Sequence, residues 1–190
     1  YYQALEQARM LKTREYESSA LSDLAMAYNN IDQPQKARDL FKEAFHVATV
    51  RKEIFSIFIN SSNLGSIYNR LGYPDSALLF LEQAERIAKE YKLDTDLHSV
   101  YNNIGNAWFY KKQWNKALHF FKLNYDDNIA GGNTEMLWYD CLNIGDVYVE
   151  KRDFDSARKY IDLSYQLAKS QGSKHKEADV DLLYSKYFAA

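Results

Sequence analysis

Three asparagines, Asn63, Asn103 and Asn143, stand 40 residues apart in a chain of 190. An asparagine amide competes with the helical ladder for backbone partners, so three at one spacing inside helix-like sequence ask for a use. Each amide is both donor and acceptor. Such a row can hold the main chain of an extended peptide, or it can bond one helix to the next and tighten a stack, and both readings stay open. Other chemistry is thinly represented. His46, His98, His119 and His175 lie at spacings that form no metal-ligand set. Cys141 is the single cysteine, which rules out an internal disulfide. It reads as a buried, inert thiol, because no neighbouring histidine is there to activate it as a nucleophile. The glycines are isolated, without the spacing of a phosphate loop. Lys111, Lys112 and Lys116, in "YKKQWNKALHFFK" from 110 to 122, tempt toward RNA or phosphate; they surround a predicted turn and outer helix and read as a solvated face. No catalytic residue, cofactor or metal is implied.

Composition sets outer bounds. A 46% hydrophobic content is enough to bury a core, and a formal charge of −2 gives no general field for nucleic acid or an acidic membrane surface. No apolar run approaches the roughly 20 residues that cross a bilayer, so membrane insertion of this segment is not expected. The lone thiol leaves the compartment, cytoplasmic or bacterial periplasmic, undecided.

The elements that position the asparagines emerge from the same 40-residue spacing. Leu24, Leu64, Ile104, Ile144 and Tyr184 fall in one register. The next residue is always small: Ala25, Gly65, Gly105, Gly145 and Ser185. Three residues further on stands a large ring: Tyr28, Tyr68, Trp108, Tyr148 or Phe188. A second series sets Ala37, Ala77, Ala117 and Ala157 four residues before Phe41, Leu81, Phe121 and Ile161. A third, again small, runs Ala4, Ala44, Ala84, Asn124 and Ser164. A glycine inside a helix costs about 1 kcal/mol relative to alanine, so close packing against a ring from the partner helix is expected to return more. Each unit therefore predicts a first helix, a turn, and a second helix opening at Pro34, Pro74, Trp114 or Phe154. "LDTD", "GGNT" and "SQGS" supply turn signals between units. Most of the aromatic side chains fall in these packing registers and read as core.

The Leu64-Gly65-x-x-Tyr68 and Ala77-x-x-x-Leu81 pattern recurs at Ile104, Gly105, Trp108, Ala117 and Phe121, and again at Ile144, Gly145, Tyr148, Ala157 and Ile161. It resembles the tetratricopeptide repeat. The period is 40 rather than 34, which implies longer helices. Such long-unit arrays resemble those of kinesin light chains, of bacterial response-regulator-binding proteins, and of sensor segments ahead of histidine kinases or DNA-binding domains. The resemblance implies an all-α, right-handed superhelical solenoid of antiparallel helix pairs, about ten helices in all. Residues 1–190 are expected to form one such solenoid. The segment 1–13 would be the second helix of a preceding unit, followed by units at about 14–53, 54–93, 94–133 and 134–173. Residues 174–190 would be the first helix of a following unit. Uncapped ends at Leu183, Tyr187 and Phe188 suggest a longer native chain or a homodimer closed through those ends.

In this family the first helices line the inner surface. Four stripes are expected there: Ser19, Asp23, Met26 and Asn30; Ile59, Asn63, Ser66 and Arg70; Ser99, Asn103, Asn106 and Tyr110; Tyr139, Asn143, Asp146 and Glu150. The expected peptide-binding groove consists of Asn63, Ser66, Arg70, Asn103, Asn106, Tyr110, Tyr139, Asn143 and Asp146. Similarly placed asparagine rows clamp peptide main chain in the arrays that this sequence resembles. The two-lysine carboxylate clamp of the chaperone-binding members is replaced by Ser62, Ser66, Asn102 and Asn106. The resulting expectation is a non-catalytic module for a protein or peptide of mixed charge, within a larger signalling or regulatory protein. The alternatives are a structural spacer or dimerisation scaffold, and a regulator of a phosphorylated response regulator acting through Asp146 or Asn106.

Overall fold

Helices begin and end where the period puts them. The computed structural model describes residues 16–93 and 97–190, and among these every regular element is helical. The first helices are α1 (Glu17–Asn30), α3 (Ile54–Arg70), α5 (Leu97–Tyr110), α7 (Thr134–Glu150) and α9 (Lys174–Ala189). The second helices are α2 (Pro34–Arg51), α4 (Pro74–Tyr91), α6 (Trp114–Ala130) and α8 (Phe154–Ser170). The expected second helix at 1–13 and the cap at Asp94–Asp96 lie outside the described residues.

The turns are more regular than their sequence. Backbone φ is positive at Asp32, Lys52, Gly72, Lys92, Lys112, Gly132, Arg152 and Gly172, one such residue after every helix from α1 to α8. The left-handed conformation is one that glycine adopts freely and other residues adopt at a cost. Only three of these eight positions carry glycine. The turn signals in the sequence were therefore partial, because the geometry is imposed by the two helices that each turn joins.

The chain divides into two compact units, residues 1–110 and 111–190. In the first, α1 packs on α2, α2 on α3, α3 on α4 and α4 on α5, and the first helices α1, α3 and α5 touch in succession. Ala25, Ala37, Phe41, Leu64 and Ile67 form one core cluster, and Leu21, Leu24 and Ala44 another. Between helices, Tyr68 stacks on Phe80 at 5.6 Å, and Phe80 meets Phe45 edge-on at 5.7 Å. The second unit packs α6 on α7, α7 on α8 and α8 on α9, with first helix α9 also against α7. Its core gathers Trp138, Val149, Ala157, Ile161, Ala168, Val180 and Leu183. There Tyr148 stacks on Tyr160 at 5.7 Å, and Tyr125 meets Tyr160 edge-on at 6.1 Å. Both triads use the same registers, and their rings are partly buried beside the cores, as their spacing predicts.

The small-residue register does bring paired helices together, with one correction. A Cβ built on Gly65 would lie 2.5 Å from Leu81 Cδ2 and nearer still to its Cγ. On Gly145 it would lie 3.0 Å from Ile161 Cγ1 and 3.5 Å from Leu183 Cδ2. The notch thus receives a branched aliphatic side chain from the second helix, not a ring. The rings lie to the side, where the second helix of one pair meets the next pair.

Candidate functional site

The first-helix stripes remain open to solvent. None of the sixteen predicted stripe residues is buried, whereas the registers beside them, such as Leu24, Leu64, Ile104 and Ile144, are. In the first unit, Asn63, Asn103 and Asn106 are half-buried, Ser66 and Arg70 are exposed, and Tyr110 is 57% exposed. Asn63 and Asn103 lie on the adjoining helices α3 and α5. The Asn103 amide donates to Ser99 O, one turn back on its own helix, at 2.9 Å. Another asparagine bonds one helix to the next: Asn69 Nδ2 donates to the main-chain oxygen of Asn103 at 2.8 Å. Arg70 is also committed. Its Nη1 donates to Asn29 O at 2.9 Å and to Asn29 Oδ1 at 2.5 Å, and its Nη2 to Asp32 Oδ1 at 2.7 Å. A guanidinium there adds a donor to Asn29 O, in the last turn of α1, and suits the negative end of that helix.

Between α1 and α3 lies a pocket of about 170 Å³ lined by Ser18, Ser19, Ser22, Asp23, Phe55, Ser56, Ile59 and Asn60. At roughly 30 Å³ per water in the liquid, it has room for one side chain or a few waters. Its floor is pre-bonded. Ser22 Oγ donates to Asn60 Oδ1 at 2.7 Å, Asn60 Nδ2 to Ser56 O at 2.8 Å, and Ser18 Oγ to Ala44 O at 3.1 Å. Phe55, 57% exposed, stands at the rim. The sequence reading found Ser19, Asp23 and Ile59 but missed Asn60. Its signal was a polar residue in a register that holds Ala20, Val100 and Val180 in three copies and Asp140 in a fourth.

The second unit presents Tyr139, Asn143 and Asp146 on α7, all half-buried. Tyr139 lies beside Trp138, with ring centroids 5.5 Å apart. Asp146 is held by Lys186 of α9 at 2.6 Å, and the same ammonium reaches Glu150 at 2.7 Å. Burial pushes the Asp146 carboxyl above its ordinary range while Lys186 pulls it part of the way back. Lys186 itself is lowered by burial but raised further by the two carboxylates, so it ends above the ordinary lysine value. On the helix-packing side, Cys141 is fully buried, and its thiol is pushed up to about 12, first by burial and then by the neighbouring Asp140 carboxylate. A thiol held that high is no nucleophile at neutral pH. Asp140 is itself buried and accepts from Asn128 Nδ2 at 2.6 Å. Among the described residues, no three His, Cys, Asp or Glu side chains group to hold a metal, and no helix is long and apolar enough to cross a membrane.

Paired antiparallel helices on a fixed register, with a small residue notched by its partner and open first-helix faces, define a helical-repeat module. Residues 18–50, 62–91 and 141–171 match models of the tetratricopeptide repeat, so the chain carries repeats of that family. The family generally serves protein interaction and is generally non-catalytic. A Tonsoku-like protein of Danio rerio is 23% identical over 108 residues, 57% of this chain and 8% of that protein. Aspartyl phosphate phosphatase F from Bacillus subtilis superposes with a TM-score of 0.82 at 16% identity, over 97% of this chain and 48% of that one. A signal transduction ATPase with numerous domains from Pyrococcus horikoshii, carrying a tetratricopeptide repeat sensor, superposes with a TM-score of 0.76 at 22% identity, over 95% of this chain and 28% of that one. At these identities the structural likeness is one of fold. The chain spans under half the length of each of these three proteins.

Proposed function

We propose that the chain is a non-catalytic peptide-recognition module, the interaction or sensor segment of a larger signalling or regulatory protein. The observation that carries this reading is the pocket between α1 and α3. It lies on the first-helix face, its hydroxyl and amide floor is already ordered, and Asp23 is the one charged group in its lining. A ready-made polar floor lowers the ordering cost of binding. Asn63, Ser66, Asn103 and Asn106 continue that face within the first unit as donors and acceptors for an extended main chain. In the second unit, Tyr139 and Asn143 play the same part. Arg70 and Asp146, tied into ion pairs, serve this face by fixing the helices that carry it.

The test is selection of binders from a displayed library of random peptides against the wild-type chain, followed by titration of the winners against variants. Asn103→Ala is expected to weaken them by about 1–3 kcal/mol, the cost of orphaning a buried hydrogen-bond group, with little change in melting. Asn69→Ala is expected to do the reverse, lowering stability while affinity holds. Peptides that bind Asn63→Ala, Asn103→Ala and wild type equally would sink the groove.

A further inference from the structure

A second site lies at the turns of the second unit, away from the first-helix stripes. Lys112, Gln113, Trp114, Asn115 and Lys116, around the start of α6, join Lys151, from the turn after α7, to line an open depression of about 520 Å³. In the sequence, Lys112 and Lys116 read as part of a solvated face. What the fold adds is Lys151, 35 residues further along, so that three ammonium groups and no carboxylate border one concavity. Lys151 is anchored there, its Nζ donating to Asn115 Oδ1 at 2.7 Å. Trp114, half-buried, provides a flat wall. The first turn of α6 starts there from Gln113, whose side chain makes no cap, so its amide dipoles add positive potential to that of the lysines.

We propose that this depression binds a phosphate monoester dianion. Three like charges around one hollow repel each other, and a multivalent anion relieves that repulsion more fully than a single carboxylate does. Lysine acts as a point-charge partner for phosphate, whereas planar carboxylates are matched better by the arginine fork. Nucleic acid fits less well. It is recognised through a basic stripe that follows the backbone, and here the positive charge is one patch on a chain of formal charge −2. The dianion can come from a phosphorylated side chain of a partner or from a small phosphate ester, and the experiment separates the two.

The indole resonance of Trp114 in the 190-residue chain reports on the site. It would be titrated with a phosphoserine peptide of otherwise neutral sequence, its unphosphorylated form, glycerol phosphate, and a single-stranded DNA oligonucleotide. The phosphopeptide is expected to bind at least about tenfold more tightly than its unphosphorylated form. Exposed ion pairs are modest, so Lys112→Ala, Lys116→Ala and Lys151→Ala should each weaken it roughly threefold, and the triple variant should lose it. Lys42→Ala, in the first unit, should leave binding unchanged, and circular dichroism should show the triple variant still folded. Phosphopeptide well above glycerol phosphate indicates a partner's side chain; equal affinities indicate a small ester. Equal binding of both peptides, or retained phosphopeptide binding by the triple variant, would overturn the site. So would preferred binding of DNA with a steep salt dependence. The residues involved are not those of the peptide face, so either proposal can fail alone.

Discussion

Where α4 meets α5 in the first unit, Ala84, Ala88 and Val100 are fully buried. In the same registers 40 residues on, where α6 meets α7 in the second unit, stand Asn124, Asn128 and Asp140, also buried. The backbone is the same in kind: α4 and α6 start in one register, α5 and α7 end in another, and both units keep their ring triads. Hairpin geometry therefore does not depend on this layer. It depends on the notch and the rings, and the layer between pairs is free to vary as long as its polar groups are matched. Matching is what the second unit adds, with the Asn128 amide on the Asp140 carboxylate at 2.6 Å. An isolated carboxylate at that depth would be costly; a hydrogen-bonded one is tolerable.

The largest effect is expected from breaking that match. Asn128→Ala takes a donor from a buried carboxylate and should cost about 2–3 kcal/mol in urea unfolding, the range for hydrogen bonds to charged groups. Replacing the whole layer by its first-unit counterpart, N124A/N128A/D140V, should bring stability back to wild type or above, since well-packed apolar side chains often equal or exceed a buried polar cluster. A triple variant as weak as the single one would mean that the second unit needs its polar layer for the fold itself.

Next comes the notch, where the two units differ in tightness. At Gly65 an added methyl overlaps Leu81, a fully buried side chain, at its branch point. At Gly145 it only presses on Ile161 Cγ1 at 3.0 Å. Overpacking costs about 1–3 kcal/mol, and alanine regains roughly 1 kcal/mol of helix propensity. Gly65→Ala should therefore destabilise by about 1–2 kcal/mol, and Gly145→Ala by less than about 1 kcal/mol. Thermal melting of the two variants side by side checks the order; equal losses would deny the difference in fit.

These comparisons also mark what could be read from one strand of letters. The repeat, the helix starts at Pro34, Pro74, Trp114 and Phe154, and the solvent-open stripes were legible because they are periodic and local. The occupant of the glycine notch was misjudged as a ring, since both a ring and an aliphatic side chain recur at 40 residues and only packing tells which one enters. Asn60 and the convergence of Lys151 on Lys112 and Lys116 were missed because neither is repeated in every copy. A periodic search averages such exceptions away. The partners of Arg70, Asn29 and Asp32, lie a whole repeat upstream, a pairing that no local pattern announces.

The turns predict a smaller contrast. Lys52 and Gly172 occupy the same left-handed position after α2 and α8, with φ of 57° and 65°. A side chain costs about 1–2 kcal/mol there, offset by the roughly 0.5–1 kcal/mol that glycine loses through its looser unfolded chain. Lys52→Gly should stabilise by about 0.5 kcal/mol, and Gly172→Ala should destabilise by about 1 kcal/mol. Denaturant midpoints at constant slope would show it, and a loss on Lys52→Gly would mean that the Lys52 side chain has a contact worth more than its strain.

The smallest effect sets two carboxylates of the second unit against each other in acid. Asp146 is raised, mainly by burial, so the folded state holds its proton more tightly than the unfolded chain does. Stability tied to it grows as pH falls toward the ordinary carboxylate value of about 3.9. Asp162 runs the other way. Burial works to raise it, but the Tyr184 hydroxyl and the Arg158 guanidinium, 2.8 Å away, together hold it below its ordinary value. Its contribution is present above that ordinary value and is lost as pH falls through the lowered one. Asp146→Asn should remove a gain on mild acidification, and Asp162→Asn should remove a loss at lower pH. Asp162 is the more exposed of the two, 40% against 31% at the side chain, so the second change is the smaller. Urea midpoints from pH 3 to 7 resolve the pair, and the same slope change in both variants would contradict the opposite environments that the two side chains occupy.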